Sequence, residues 1–403
     1  MPTVLSVSQN YYVAGGSDQM FFLTNNLLSA RGNTVIPFTA ASPKNTSTPW
    51  ADYFPQAADF KRANVRDLGM YVYSPAAARA LRRLLAKQRP DVAHLHIYYG
   101  KLTTSILRPL KQAGIPIVQT LHEYKTICPV YTLVSNDTIC EACEGKYFWR
   151  ALPRKCNRRS LARTSLSVVE SYVSEWNGAK TQIDRFIAVS DFVREKVIQY
   201  GVPAHKITTI RNVIDASAIR PYNKLGEYFL YFGRLERVKG LLTLLNAVAP
   251  LTHTPTYIVG EGALKPELQK QIEERGLSHI KLLGFKTGAE LQELIQRSLC
   301  TILPSEWYEP WGLTILEGFA HARPAIGSRI GGIPEVITDG ADGFLFEAGN
   351  AEELRERLIW LTDHPTQALE MGRTGRAKVE RDFTPDIYYE QLMEVYRQAL
   401  QSA

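Results

Sequence analysis

At 403 residues the chain is long enough for two or three domains that each bury a core, and its 45% hydrophobic content is that of a folded globular protein with no run long enough to span a bilayer. Residues 1–217 carry 27 Lys and Arg against 15 Asp and Glu, a net +12, and the remainder carries 20 against 25, a net −5; an anionic partner therefore belongs to the first half, and the lack of any nucleic-acid motif excludes nucleic acid in favour of a phosphate-bearing substrate or membrane lipid. Five cysteines are too few for a disulfide framework and Met1–Ser8 carries no charged leader, so the expected location is cytoplasmic, with the inner face of the membrane as a docking surface.

Val4 to Ser8 is a short apolar strand that runs into a loop carrying Gly15-Gly16. Ser17 is placed to cap a helix from Asp18 to Ala30, which Gly32 ends. A strand, a glycine pair and a helix start suit close approach of backbone to a phosphate, although a plain strand-to-helix turn has the same pattern. A second strand spans Thr34 to Ala40, the stretch Trp50 to Met70 has no assignable period, and Pro75 to Gln88 is a helix with a basic face. Strands follow at 92–96 and at Ile115 to Leu121, the latter ending in His122-Glu123-Tyr124. Such alternation predicts a parallel, doubly wound sheet, whose ligands bind beyond the carboxyl ends of its strands. His122 stands at such an end as either a ligand contact or a structural loop histidine; His94 and His96 read as structural.

Cys128, Cys140, Cys143 and Cys156 form the pattern C-x11-C-x2-C-x12-C. The spacing admits a structural zinc site with four thiolate ligands that would hold a loop, the other reading being reduced thiols. Close behind comes a basic cluster including Arg150, Arg154, Lys155, Arg158 and Arg159, with Tyr147, Phe148 and Trp149 at its front. Aromatic rings beside Lys and Arg suit an anionic membrane surface or an acceptor; a solvated charged loop would look the same.

After a strand at Asp184 to Ser190, a helix to Tyr200 and a strand at Lys206 to Ile210, the segment to Leu225 reads as an interdomain linker. A second alternating unit then begins with a strand at Tyr228 to Phe232 followed by Gly233-Arg234-Leu235-Glu236-Arg237-Val238-Lys239-Gly240. Two cations at a strand end, a guanidinium fork and an ammonium point charge, suit a diphosphate. Further strands lead into Gly260-Glu261-Gly262 and into Leu283-Gly284-Phe285. Cys300 to Leu303 is a buried strand, Gly312 to Ala322 a helix, and Glu309 and Glu317 flank the turn between them. Free amides at that helix start, Leu313 and Thr314 behind Gly312, are an anion site, while the carboxylates can accept only from donors such as sugar and ribose hydroxyls. Helices at Ala351 to Asp363, Thr366 to Arg381 and Asp386 to Gln401 complete the chain.

The Glu-x7-Glu stretch with its inner Gly-Leu, the Gly-Arg-Leu…Lys-Gly segment, Gly15-Gly16, His122 and Gly331-Gly332-Ile333-Pro334-Glu335 together resemble retaining glycosyltransferase family four, including bacterial polysaccharide and lipid-linked glycan enzymes with a cysteine-bearing insertion. The resemblance implies an α/β protein of the GT-B fold, two Rossmann-like doubly wound domains facing across a cleft. Residues 1–217 would bind the acceptor and contain an insertion at about 124–175; residues 226–385 would bind the nucleotide sugar, and the helix 386–403 would pack back on the first domain. It further implies that His122, Arg234, Lys239 and Glu309 serve catalysis. The donor, a UDP- or GDP-sugar, would meet Gly15, Gly16, Gly233, Gly260, Gly262, Leu283, Gly284, Phe285, Gly312, Leu313, Thr314 and Glu317. No catalytic metal is implied, since no Asp-x-Asp pair ends a strand and Arg234 and Lys239 supply the positive charge. Val213 stands where the family usually has glycine, so the local backbone is expected to differ there. A GT-B-like nucleotide-sugar epimerase and a non-catalytic nucleotide-sugar-binding protein are the rival readings; a phosphorylase lacks a context for its cofactor lysine.

Overall fold

The apolar runs become two six-stranded parallel sheets. The computed structural model describes residues 1–58, 60, 64–224 and 226–401. Leu225, in the expected linker, and residues 402–403, at the end of the expected last helix, lie outside the described residues. The chain divides into one unit formed by Met1–Arg211 with the segment from Tyr388 onward, and a second formed by Asn212–Ile387.

In chain order the first unit contains β1 (Thr3–Val7), α1 (Gly16–Ala30), β2 (Thr34–Phe38), α2 (Val65–Val72), α3 (Pro75–Lys87), β3 (Val92–Leu95), α4 (Leu107–Gln112), β4 (Ile117–Leu121), β5 (Val134–Ser135), β6 (Thr138–Ile139), α5 (Ala151–Arg154), α6 (Leu161–Trp176), β7 (Arg185–Ala188), α7 (Asp191–Gln199) and β8 (Ile207–Thr209). Its main sheet has the order β2-β1-β3-β4-β7-β8, all neighbours parallel, so the strand order reverses between β1 and β3. Helices cover both faces, and the inner strands are accordingly buried throughout. Of the stretch Trp50 to Met70 that has no assignable period, the described part holds a single 3-10 turn at Ala51–Tyr53 and the start of α2, which Asn64 and Asp67 cap reciprocally.

Residues between β4 and α6 form an excursion rather than a crossover helix. It holds the antiparallel pair β5–β6, turned by Asn136 and Asp137 in left-handed backbone. Eight of the ten left-handed non-glycine residues among the described residues fall between Tyr131 and Arg159. α6, capped by Ser160, closes the excursion. Its buried face is polar: Thr164, Ser167, Glu170, Ser171 and Ser174, with Val168 alone apolar. That face is satisfied from within, because Glu170 pairs with the buried Lys125, whose ammonium also donates to Pro129 O at 2.8 Å, and Ser174 donates to Glu170 at 2.8 Å.

The second unit contains β9 (Tyr228–Phe232), α8 (Leu241–Val248), β10 (Thr256–Val259), α9 (Lys265–Glu274), β11 (Ile280–Gly284), α10 (Gly288–Gln296), β12 (Ser298–Leu303), α11 (Leu313–Ala320), β13 (Ala325–Ser328), α12 (Ile333–Val336), β14 (Gly343–Phe346), α13 (Ala351–Asp363) and α14 (Pro365–Asp382). The parallel order β11-β10-β9-β12-β13-β14 reverses between β9 and β12. Phe229, Leu244, Ile258, Ile302, Phe346 and Leu358 belong to its main core.

The last helix, α15 (Pro385–Gln401), packs its Tyr388 and Tyr396 into the first unit. Thr24 gives its hydroxyl proton to Met20 O and accepts from Tyr388; Asn33 donates to the Tyr389 hydroxyl at 3.0 Å; Tyr396 meets His94 Nδ1 at 2.8 Å. Among the described residues no helix is long and apolar enough to cross a membrane.

Candidate active site

In a doubly wound sheet the crevice for a ligand opens beyond the carboxyl ends of the strands where the order reverses. In the second unit that point lies beyond β9 and β12. The backbone after β9 turns back at Gly240, φ 68°, where a Cβ would stand 1.7 Å from Pro304 O; only glycine lets the two loops close on each other. This approach delivers Lys239 to Glu309. Both are buried, and the ammonium donates to Oε1 at 3.0 Å and to Oε2 at 2.7 Å. Ser305 and the Trp307 indole also donate to Oε2, at 2.8 and 2.9 Å, and the ammonium lies 5.0 Å from the centre of the Trp307 ring. Glu309 is thus bonded by one cation and two neutral donors, its backbone covered by Gly331 and Gly332. Ser305 and Trp307 are partners that the sequence reading did not single out; both lie within four residues of Glu309, where a loop side chain can fold back.

Arg234 lies on the same rim but stays exposed, paired with Glu236 at 3.1 Å. The Tyr231 hydroxyl donates to Arg234 O at 2.8 Å. Burial drives that phenol well above its ordinary range, the nearby Glu309 charge raising it further while Arg234 opposes. Gly233 and Gly260 back onto each other, a Cβ on Gly260 standing 1.8 Å from Gly233 O, and Gly262 lies against Leu235. Leu283 and Gly284 end β11, and Phe285 beyond them is 71% exposed, an aromatic face open to stacking.

The turn after β12 leads to α11, whose N-cap is Gly312 with no side chain capping it. The amides of Leu313 and Thr314 are therefore orphan donors at the positive end of the helix. Glu317 sits one turn on, half-buried and without a hydrogen-bond partner among the described residues. Burial pushes its carboxyl up to about 7.

In the first unit the reversal lies between β1 and β3. Gly15 is the N-cap of α1, which begins at Gly16. The expected Ser17 cap is not made: Asp18 turns back to accept from Ala14 N at 3.0 Å, and the helix starts earlier than a Ser17 cap allows. His122 follows β4 and is joined to His96 by a bond of 2.9 Å between His122 Nε2 and His96 Nδ1, the rings stacked at 13°. His96 lies 4.3 Å from His94, ring to ring and tilted by 33°, and His94 is held between Tyr396 and Thr120. Burial lowers all three, His94 to about 3 and His122 to about 4, so the chain of rings is neutral at physiological pH. His96 is therefore more than the structural residue expected: it orients His122. The signal was present as alternation, since residues 94 and 96 project from one sheet face toward the strand that carries 122.

The sequence left a structural zinc site and reduced thiols as the alternatives for Cys128, Cys140, Cys143 and Cys156. All five cysteines are free thiols, and no group of three or more His, Cys, Asp or Glu among the described residues is arranged to hold a metal ion. Cys143 and Cys156 instead pack with Phe148, Ala151 and Val168, and burial pushes the Cys143 thiol up to about 12, a neutral group in an apolar patch. Of the basic residues, Arg154, Lys155, Arg158 and Arg159 are exposed; Arg150 is half-buried over the rings of Tyr147 and Trp149.

Two family models match the chain: "Glycosyltransferase Family 4" over residues 14–218 and "Glycosyl transferases group 1" over residues 216–378. The D-rhamnosyltransferase WbpZ of Pseudomonas aeruginosa is 35% identical over 40% of this chain and 43% of its own length. The O-antigen chain mannosyltransferase C of Escherichia coli is 24% identical over 99% of both chains. The chain spans about half the length of the first curated relatives it matches, between 43% and 55%. Among solved structures, Anabaena Alr3699/HepE in complex with UDP-glucose superposes with a TM-score of 0.67 at 18% identity, covering all of both chains. The fold is GT-B, and with one model alone matching half its residues the chain belongs to glycosyltransferase family 4.

Proposed function

We propose that the protein is a retaining glycosyltransferase that moves a sugar from a nucleoside diphosphate, UDP or GDP, to a glycan or lipid-linked acceptor in cell-surface polysaccharide or glycolipid synthesis. Relatives named for O-antigen and rhamnose transfer, and a structural neighbour bound to UDP-glucose, support the class. The observation that carries it is the buried Lys239–Glu309 pair beside the uncapped start of α11, at the carboxyl ends of β9 and β12. The second unit would hold the donor and the first the acceptor.

As the bond from the sugar C1 to the diphosphate oxygen breaks, negative charge grows on the leaving group. Arg234, Lys239 and the Leu313 and Thr314 amides would meet it, in place of a metal ion. Glu309 would accept from sugar hydroxyls and Glu317 from the ribose, its raised carboxyl placing it between acceptor and donor at neutral pH. The acceptor oxygen bonds to C1 on the face the diphosphate leaves, and its proton passes to the departing phosphate oxygen. His122, uncharged and fixed by His96, would bond a sugar hydroxyl without adding charge.

A screen of UDP- and GDP-sugars for thermal stabilisation and slow hydrolysis, with and without EDTA, tests this reading. The expected result is stabilisation by one nucleotide series, turnover that survives chelation, and retained configuration in the product. Epimerisation of donor with no acceptor would establish the rival activity, and no response to any nucleotide sugar would overturn the proposal.

A further inference from the structure

The polar inward face of α6 leaves the opposite face unexplained. Ala162, Leu166, Val169, Val173 and Trp176 recur at spacings of four and three, which on a helix is one stripe. It points away from the buried set Thr164, Ser167, Ser171 and Ser174. Within it Trp176 is 80% exposed, Val169 51% and Ala162 exposed, while Leu166 and Val173 are half-buried. A soluble helix hides its apolar stripe and shows its polar one; α6 does the reverse. The inversion is stable because the inward polar groups are bonded in pairs, but it puts a row of aliphatic and indole groups in water.

The surroundings of the stripe identify its occupant. Along one edge, Tyr172 lies 5.2 Å from the Phe148 ring and 6.3 Å from that of Trp176, and its hydroxyl accepts from Trp149 N at 3.3 Å. Tyr147 and Trp149, both exposed, are thereby attached to the same flank, with the Arg150 guanidinium 4.5 Å from the Tyr147 ring. The loop leading into α6 presents Lys155, Arg158 and Arg159 from left-handed backbone, which costs strain for non-glycine residues. Lys155, Arg158 and Arg163 are exposed and form no ion pair among the described residues. An apolar stripe edged by indole and phenol rings and backed by unneutralised cations matches the boundary between lipid headgroups and acyl chains: rings at the headgroup level, aliphatic groups just below, cations on anionic phosphates. A second copy of this chain would set these cations against themselves.

We propose that α6 with the 147–163 segment is an interfacial anchor that inserts its Leu166–Val169–Val173–Trp176 stripe into an anionic lipid surface. It deepens the lipid-linked reading of the acceptor and rests on that reading for its purpose, not for its geometry. The anchor differs from simple electrostatic recruitment, in which the cations alone bind and salt alone releases.

Co-sedimentation of the full chain with phosphatidylcholine vesicles, with and without phosphatidylglycerol, tests it. Binding is expected only with phosphatidylglycerol, together with a blue shift in tryptophan emission that Trp176→Phe diminishes. Val169→Glu and Trp176→Glu, both on exposed positions, are expected to abolish binding although every cation remains. Neutralising Lys155, Arg158 and Arg163 to Gln should weaken partitioning roughly fivefold per charge. Binding unchanged in both glutamate variants would overturn the anchor, as would absence of binding to the anionic vesicles. A concentration-dependent dimer in vesicle-free solution that Trp176→Glu dissolves would also overturn it, assigning the face to a second copy. Stabilisation by UDP or GDP, measured on the same samples, separates the readings: docking lost with nucleotide response intact sinks the anchor alone, and docking intact without nucleotide response sinks the donor assignment alone.

Discussion

The two units place polar groups at the same topological point, beyond the carboxyl ends of a parallel sheet near its reversal, and treat them in opposite ways. The first unit sets three imidazoles in a row, His94 and His96 buried and His122 half-buried, and keeps them uncharged, each ring depressed by lost hydration. The second buries a full ion pair, Lys239 with Glu309, and surrounds the carboxylate with further donors. A neutral chain can present a hydrogen bond without a field. A charged pair stores a field that a ligand's own charge can re-partition: on the proposed reading an arriving diphosphate would compete with Glu309 for the ammonium and free carboxylate lone pairs for hydroxyls. The contrast suits the proposed division of labour, in which one unit would meet phosphate charge and the other only hydroxyls.

The contrast breaks most visibly at Lys239. Lys239→Ala leaves Glu309 buried without its cation and is expected to destabilise the second unit by about 3–5 kcal/mol, seen as a lower urea midpoint. Adding Glu309→Gln should recover most of that stability while turnover stays lost, which separates the structural role of the pair from its chemical one. Arg234, exposed and paired only to Glu236, gives the complement. Arg234→Ala should leave stability within about 0.5 kcal/mol and reduce kcat by roughly 10²–10³, the scale of losing a donor to developing charge. In the first unit His96→Phe removes the bond to His122 at a smaller cost, about 1 kcal/mol or some fivefold in kcat, with KM for the donor little changed and His96→Asn restoring part of the rate.

The test that follows both units at once is the pH dependence of stability between roughly pH 4.5 and 6.5. His94 and His122 have folded values of about 3 and about 4, below the ordinary imidazole value of 6.5. The unfolded chain therefore binds more protons, and the stability tied to neutral rings is complete above 6.5 and lost as the pH falls toward 4. Glu317 runs the other way: its carboxyl is raised to about 7, so its favourable share is complete below the unfolded value of 4.5 and lost as the pH rises through 7. Amide exchange followed region by region should show the sheet around β3 and β4 weakening on acidification while α11 does not. Equal slopes in both would remove the physical basis of the contrast.

Much of this architecture was legible because periodicity and punctuation agreed. The parallel strands read as apolar runs, and glycine or proline ended the helices within a residue or two of the observed bounds. Side-chain direction was less legible. Ser17 looks like a cap, yet Asp18 reaches back to Ala14 and α1 starts at Gly16. The C-x2-C spacing leaves a metal and free thiols open alike; Cys143 and Cys156 pack in an apolar cluster, with Cys128 and Cys140 near enough to act on the Cys143 thiol. No helix was read at α6, whose residues fell largely within the expected insertion, and even a helical period would not say which face is inward. That was decided by one distant residue, Lys125, pairing with Glu170. In the candidate site, the charged residues stand out in the sequence. Their neutral partners, Ser305, Trp307 and His96, do not, because nothing local tells a neutral donor that bonds a carboxylate or a ring from one that faces water.

The return of α15 to the first unit has a consequence for the order in which the protein is made. Tyr388 meets Thr24 across 364 positions, and Tyr396 meets His94 across 302. Residues 212–387, a continuous unit, are all synthesised before most of the helix that completes the earlier one. The first unit therefore cannot be native until the whole described chain is made, α1 and β3 waiting with Thr24 and His94 without their partners, and loops this long close slowly. The setting that keeps His94 neutral therefore depends on a helix some 300 residues away: without α15 its Tyr396 partner is missing and the ring is open to water and protons.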